Sequence, residues 1–204
     1  SGCNAVKFQA FNKEIIRAHP KAERLIKSAI SESNVEKINS LAKSVGIEWF
    51  CTPMFPEAVN FLKDFVKRYK IRVSDGIPLM ENKKTELLKK ILESEKEVIV
   101  SMQNSPRNLL EYDSDRIKWL YCVPKYPCTL EDLDFSLIKD FDGFSNHCPN
   151  FIAPLTATIL GCDIIEIHIT SDKSVDFFDN NVSFDYNELD FLLKSIRNTE
   201  KIHK

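Results

Sequence analysis

The chain has 204 residues, 43% of them hydrophobic and 28% charged, a composition that suits one globular domain over 1–204 with a sizeable core. The formal net charge of −2 gives no electrostatic footprint for nucleic acid. No apolar run is long enough to span a bilayer, and no stretch reads as a signal peptide.

In chain order, Ala5–Gln9 (AVKFQ) predicts a short strand, and Pro20–Val45 a helical region that Ser31 or Ser33 caps in its second half and Gly46 ends. Ile47–Thr52 reads as a strand stopped by Pro53, and Glu57–Arg68 as a helix with Val59, Leu62, Phe65 and Val66 near one face. A strand at Tyr69–Val73 leads to a helix at Lys83–Glu93, whose buried stripe is Leu87, Leu88, Ile91 and Leu92. Glu97–Met102 and Ile117–Val123 read as strands, with a short helix over Pro106–Glu111 between them. Leu130–Phe141 reads as a helix, Gly143–His147 as a strand and Ile152–Leu160 as a buried helix. Asp163–Thr170 is the last strand and Asn187–Glu200 a closing amphipathic helix.

Seven strands alternating with helices predict a parallel sheet with crossover helices. The strands are apolar runs, as expected where both faces are covered. The expected fold is therefore α/β, a (β/α)8 TIM barrel short of its first strand–helix unit. A doubly wound open sheet is the rival, but AVKFQAFNK lacks the glycine-rich phosphate turn that fold carries after its first strand. Seven strands would leave apolar edges beside AVKFQ and DIIEIHI, so a further strand is expected to cover them. The six cysteines show no CxxC spacing and read as reduced, packed thiols of a cytoplasmic protein rather than as a zinc site.

In a parallel barrel, chemistry collects at the C-terminal ends of the strands. Those ends carry Lys7 and Gln9, Thr52, Lys70 or Arg72 with Ser74 and Asp75, Ser101 and Gln103, Lys125 and Tyr126, Ser145 and His147, and His168. Cations and hydroxyls suit a phosphate or carboxylate ligand. Two imidazoles suit a divalent metal. Taken singly, a strand-end histidine is more often a structural hydrogen-bond partner and a lysine a solvated charge. The signal is their collection at one end of successive strands.

The segments AVKFQAF, GIEWFCTP, VIVSM, YCVPKYP, FSNH and EIHITSD occur in an order and spacing that resembles the catalytic barrel of the N-acetylneuraminate (sialic acid) synthase family, which includes legionaminic and pseudaminic acid synthases. The resemblance implies condensation of phosphoenolpyruvate with an N-acylated hexosamine, assisted by Mn2+ or Mg2+. It implies that His147 and His168 hold the metal, and that Lys7, Thr52, Ser101 and Ser145 surround phosphoenolpyruvate. Gln9 and Tyr126 match substrate-contacting positions, and Asp179 an acidic residue in the loop after the last strand. Lys70 or Arg72 fills a cation position, and Ser74 or Asp75 the next. A homodimer is compatible with the family.

Several positions depart from the family pattern. Tyr121 stands where histidine is usual, Pro124 replaces a polar residue, and Asn146 replaces aspartate. The resemblance also implies a strand bearing a glutamate ahead of AVKFQ and an antifreeze-like domain after the barrel. Two alternatives follow. One is a degenerate barrel that binds a sugar or a partner protein. The other is a barrel lyase or aldolase using Lys7 or Lys70 as a Schiff-base amine, which borohydride trapping with a keto acid distinguishes from a metal-dependent enzyme.

Overall fold

A computed structural model describes residues 2–112 and 114–202. They form two compact units, one of residues 3–100 with 114–117, the other of the remaining described residues.

In the first unit, β1 (Ala5–Ala10) lies parallel to β2 (Glu48–Pro53), β2 to β3 (Arg68–Ile71), and β3 to β4, which spans Glu97–Met102 and runs on into the second unit. Between them come α1 (Ala22–Leu25), α2 (Val35–Val45), α3 (Pro56–Leu62), α4 (Val73–Met80) and α5 (Glu86–Glu93). The predicted long helix over 20–45 is two short helices. Asn34 rather than a serine precedes α2, and Gly46 ends it in the left-handed region (φ 69°), which costs glycine nothing. Thr85 caps α5 by accepting the Leu88 N–H, and Leu87, Leu88 and Ile91 form its buried stripe. Residues 114–117 join this unit because the Val98 N–H donates to Arg116 O, while the Arg116 guanidinium donates to Leu92 O and Lys96 O.

Helix α4 begins at Val73, the last residue of the predicted strand, and fills the stretch before the helix predicted at Lys83–Glu93, for which the sequence suggests no element. Gly76 and Pro78 suppress a helical reading, yet the Gly76 N–H donates to Arg72 O, and buried Gly76 and Leu79 anchor the helix. Tertiary burial has overridden propensity here.

The second unit holds β5 (Ile117–Tyr121) almost entirely, with β6 (Gly143–Ser145), α6 (Ile152–Ile159), β7 (Ile164–Glu166) and α7 (Tyr186–Ile202). β5 lies parallel to β6 and β6 to β7. The predicted helix over 130–141 is instead two 3-10 turns, Leu130–Asp132 and Phe135–Asp140. Thr129 and Asp132 close a capping box on the first. Asp134 starts the second by accepting the Ser136 N–H, which interrupts a continuous helix. β7 is shorter than expected, and the chain beyond it makes one parallel bridge, Ile169 to Phe184. Ile165 and Ile167 pack with Leu155 against Phe184, Leu192 and Ile196.

Gly143 sets how closely β6 meets its neighbours. A Cβ there would lie 2.1 Å from Ile164 O and 2.8 Å from a Leu120 methyl. Gly143→Ala must therefore push β6 from β5 and β7, and we expect a loss of about 1–3 kcal/mol in urea unfolding, the usual cost of overpacking. An unchanged midpoint would show that the strands separate freely.

Candidate functional site

In register, Ser145 of β6 stands beside Glu166 of β7. Side chains two residues apart on a strand share a face. Ser145, His147, Glu166 and His168 therefore project from one face, while Ile165 and Ile167 pack from the other. The contacts agree: the Ser145 hydroxyl donates to Glu166 Oε1 at 2.7 Å, and the His147 and His168 ring centroids are 5.4 Å apart.

His147 is held from several sides. Its backbone carbonyl accepts the Cys128 N–H, and its Nδ1 lies 2.8 Å from Val123 O. A carbonyl only accepts, so Nδ1 carries the proton and Nε2 the lone pair in the neutral ring. Metal-binding histidines are oriented in this way, one ring nitrogen donating to a backbone carbonyl while the other faces the ion. Asn146 braces the turn from both sides: its amide donates to Cys148 O and its carbonyl accepts the Cys148 N–H. An ionised aspartate could not make the first of these bonds, which gives the departure at Asn146 a structural reason.

Tyr126 OH lies 2.6 Å from His147 Nε2, and the Tyr126 ring meets His168 edge-on at 5.9 Å. Asp179 Oδ2 lies 3.6 Å from His168 Nδ1. Asp179 sits at φ 60°, a conformation that aspartate tolerates better than most residues. The second unit thus gathers Tyr126, Ser145, His147, His168 and Asp179. Ser101, also of this unit, is buried on β4. Among the described residues, no group of three or more His, Cys, Asp or Glu side chains is arranged to hold a metal. A divalent cation would have two imidazoles from the protein and positions left for substrate and water.

Cys128 and Cys148 are buried and joined by a side-chain hydrogen bond, and burial pushes the Cys128 thiol up to about 11. Both are protonated packing groups at neutral pH, and all six cysteines are free thiols. Tyr121 is also a packing residue. Its ring lies among Phe135, Phe141 and Phe144, and its hydroxyl accepts the Asp134 N–H.

The first unit carries a second constellation. Gln9 is level with Thr52, Cys51 with Tyr69, and Lys70 with Ile99. Gln9, Thr52 and Lys70 therefore share one level and one face, with Lys7 two residues earlier on the same face of β1. Lys70 is 2% exposed, and its ammonium donates to Ile71 O at 3.3 Å. Thr52 is 1% exposed, and its hydroxyl has no hydrogen-bond partner among the described residues. A buried hydroxyl and a buried ammonium at one level of a sheet are groups that could donate to an anion.

Of the two cation alternatives, Lys70 lies on this face. Arg72 precedes α4 and is engaged by Asp75, with Nε 2.5 Å from Oδ2, and Ser74 is exposed on the first turn of the helix. Sequence reasoning missed Glu166. The available signal was the EIH spacing, which puts Glu166 on the same face as His168.

The whole chain, residues 1–204, matches the family model described as NeuB family. Two relatives are 28% identical: an N,N'-diacetyllegionaminic acid synthase of Legionella pneumophila over 99% of this chain, and a pseudaminic acid synthase of Campylobacter jejuni over 80%. The chain spans 65% and 51% of the lengths of those two proteins. Among solved structures, an N-acetylneuraminic acid synthetase of Leptospira borgpetersenii in complex with citrate is similar at a TM-score of 0.83 and 26% identity, covering 98% of this chain and 74% of that one. With the family model matched from end to end and the alternating strands and helices shared with that synthetase, the chain belongs to the NeuB family.

Proposed function

We propose that this chain carries the catalytic groups of a synthase that condenses phosphoenolpyruvate with an N-acylated hexosamine to give a nonulosonic acid. The observation that carries the reading is the pair of imidazoles two residues beyond the ends of β6 and β7, 5.4 Å apart between ring centroids, with the lone pair of His147 directed by a backbone carbonyl. The orphan hydroxyl of Thr52 beside Lys70 supports it from the first unit. The curated relatives, named as synthases of legionaminic and pseudaminic acids, support the substrate class.

In this reading Lys7, Thr52 and Lys70 of the first unit bind the phosphate and carboxylate of phosphoenolpyruvate. Carbon 3 of phosphoenolpyruvate forms the new bond to the aldehyde carbon of the open-chain sugar. Water adds at carbon 2, and phosphate leaves with cleavage of its C–O bond, which yields the 2-keto acid. His147 and His168 would hold Mn2+ or Mg2+, and a cation there would supply Lewis-acid stabilisation of negative charge on the sugar oxygen. Gln9 and Tyr126 contact substrate, and Asp179 keeps negative charge beside His168. The Ser145 hydroxyl is turned toward Glu166, so it must rotate away before it can donate to an anion. The packing role of Tyr121 weakens the degenerate-barrel alternative, because that residue is accounted for by an aromatic cluster rather than by a lost site.

Two outcomes test the assignment. Thr52→Val removes a buried, unpaired hydroxyl, so the ligand-free protein should gain about 1–3 kcal/mol of stability. The same change should weaken phosphoenolpyruvate binding about tenfold, because a hydrogen bond to a charged group is lost. Thermal melts with and without millimolar phosphoenolpyruvate read both effects, and equal ligand-induced shifts in the two proteins would remove Thr52 from the site. Separately, His168→Ala should abolish stoichiometric Mn2+ binding in calorimetry while circular dichroism stays unchanged. Retained binding would overturn the metal assignment.

A further inference from the structure

Cys128 and Cys148 come from different segments of the second unit, and a backbone bond brings them face to face. The Cys128 N–H donates at 3.1 Å to His147 O, the carbonyl immediately before Cys148. Main-chain segments joined in this way hold facing Cα atoms about 5 Å apart, inside the separation that a disulfide spans. The side chains meet as well, one thiol hydrogen-bonded to the other sulfur.

Both backbones are braced. Asn146 holds Cys148 by its N–H at 3.1 Å and by its carbonyl at 2.8 Å, and Cys128 directly precedes the capping box of Thr129 and Asp132. The sulfurs therefore meet without any rearrangement of the chain. Their cover is thin. Cys128 and Cys148 are buried, yet Cys128 lies between the exposed residues Pro127 and Thr129, and exposed Pro149 follows Cys148. A small oxidant needs only a local opening of these loops to reach them. Other buried thiols are placed differently: Cys51 lies on β2 in the first unit, and the Cys122 sulfur lies 3.7 Å from His147 Nδ1.

We propose that Cys128 and Cys148 form an oxidation site that closes to an intramolecular disulfide when the protein meets a peroxide. One thiol is oxidised by hydrogen peroxide to a sulfenic acid, and one water is released. The sulfur of the second thiol then attacks the sulfenic sulfur. Its proton leaves with the hydroxyl as a second water, and the sulfur–sulfur bond forms. Peroxide is reduced by two electrons and the thiol pair is oxidised by two. The second thiol is already in contact with the first, so closure outruns further oxidation of the sulfenic acid. The bridge would tie the turn that carries His147 to the segment that carries Tyr126. The inference uses neither the metal nor the substrate reading.

The test treats the folded chain with stoichiometric hydrogen peroxide, then denatures it, alkylates the remaining thiols and measures intact and fragment masses. Alkylation should mark all six cysteines before oxidation and two fewer after it. Fragment masses should join Cys128 to Cys148, and dithiothreitol should restore both thiols. Neither Cys128→Ser nor Cys148→Ser should form an internal bridge, whereas Cys122→Ser and Cys162→Ser should form the same bridge as the unaltered protein. Should the serine variants at 128 or 148 fail to fold, the fragment map of the unaltered protein decides by itself. Six unreacted thiols after oxidation, sulfinic acid at either residue in place of a bridge, or a bridge to Cys122 would overturn the proposal.

Discussion

The arrangement of the second unit depends on how closely β6 lies against its neighbours. Residue 143 has no room for a Cβ against Ile164 O and Leu120, so only glycine allows the strand to sit there. From that contact the parallel register follows: Gly143 beside Ile164, Ser145 beside Glu166, and the two histidines two residues further on. A slip of one residue on either strand would turn its histidine into the apolar layer against α7 and bring Ile165 and Ile167 to the polar face.

Chemistry on that face is directed by backbone groups more than by side chains. Val123 O selects the tautomer of His147, the Cys128 N–H holds its carbonyl, and Asn146 ties the turn to Cys148. These restraints come from the main chain of neighbouring segments, so they persist when the exposed side chains move. The first unit uses the same logic. Parallel register sets Thr52 level with Gln9 and Lys70, and the sheet brings a cation and an orphan hydroxyl to one level without any loop motif.

The sequence alone made the order of strands legible, because seven apolar runs alternate with amphipathic segments. It also made His147 and His168 legible, each at the end of a run. Local structure between the runs was harder to read. The segment over 73–80 looks like a loop because Gly76 and Pro78 are helix breakers, and only burial of Gly76 and Leu79 makes it a helix. Residues 130–141 look helical by period, but Asp134 offers the backbone a competing side-chain acceptor and divides the segment. Lys70 could not be separated from Arg72, because the pairing of Arg72 with Asp75 exists only once α4 has formed. Glu166 was in plain view but looked like one more charge. Its meaning depends on the cross-strand bond from Ser145, which spacing along one strand does not reveal.

The most direct measurement is pulsed electron paramagnetic resonance of the protein loaded with one equivalent of Mn2+, prepared with natural-abundance histidine and with 15N-histidine. Coordination by His147 and His168 predicts modulation from two directly bound imidazole nitrogens, shifting to the 15N pattern on labelling and absent from His168→Ala, which should no longer hold the ion. A spectrum with water and carboxylate oxygens alone around the ion would contradict a metal centre at these histidines.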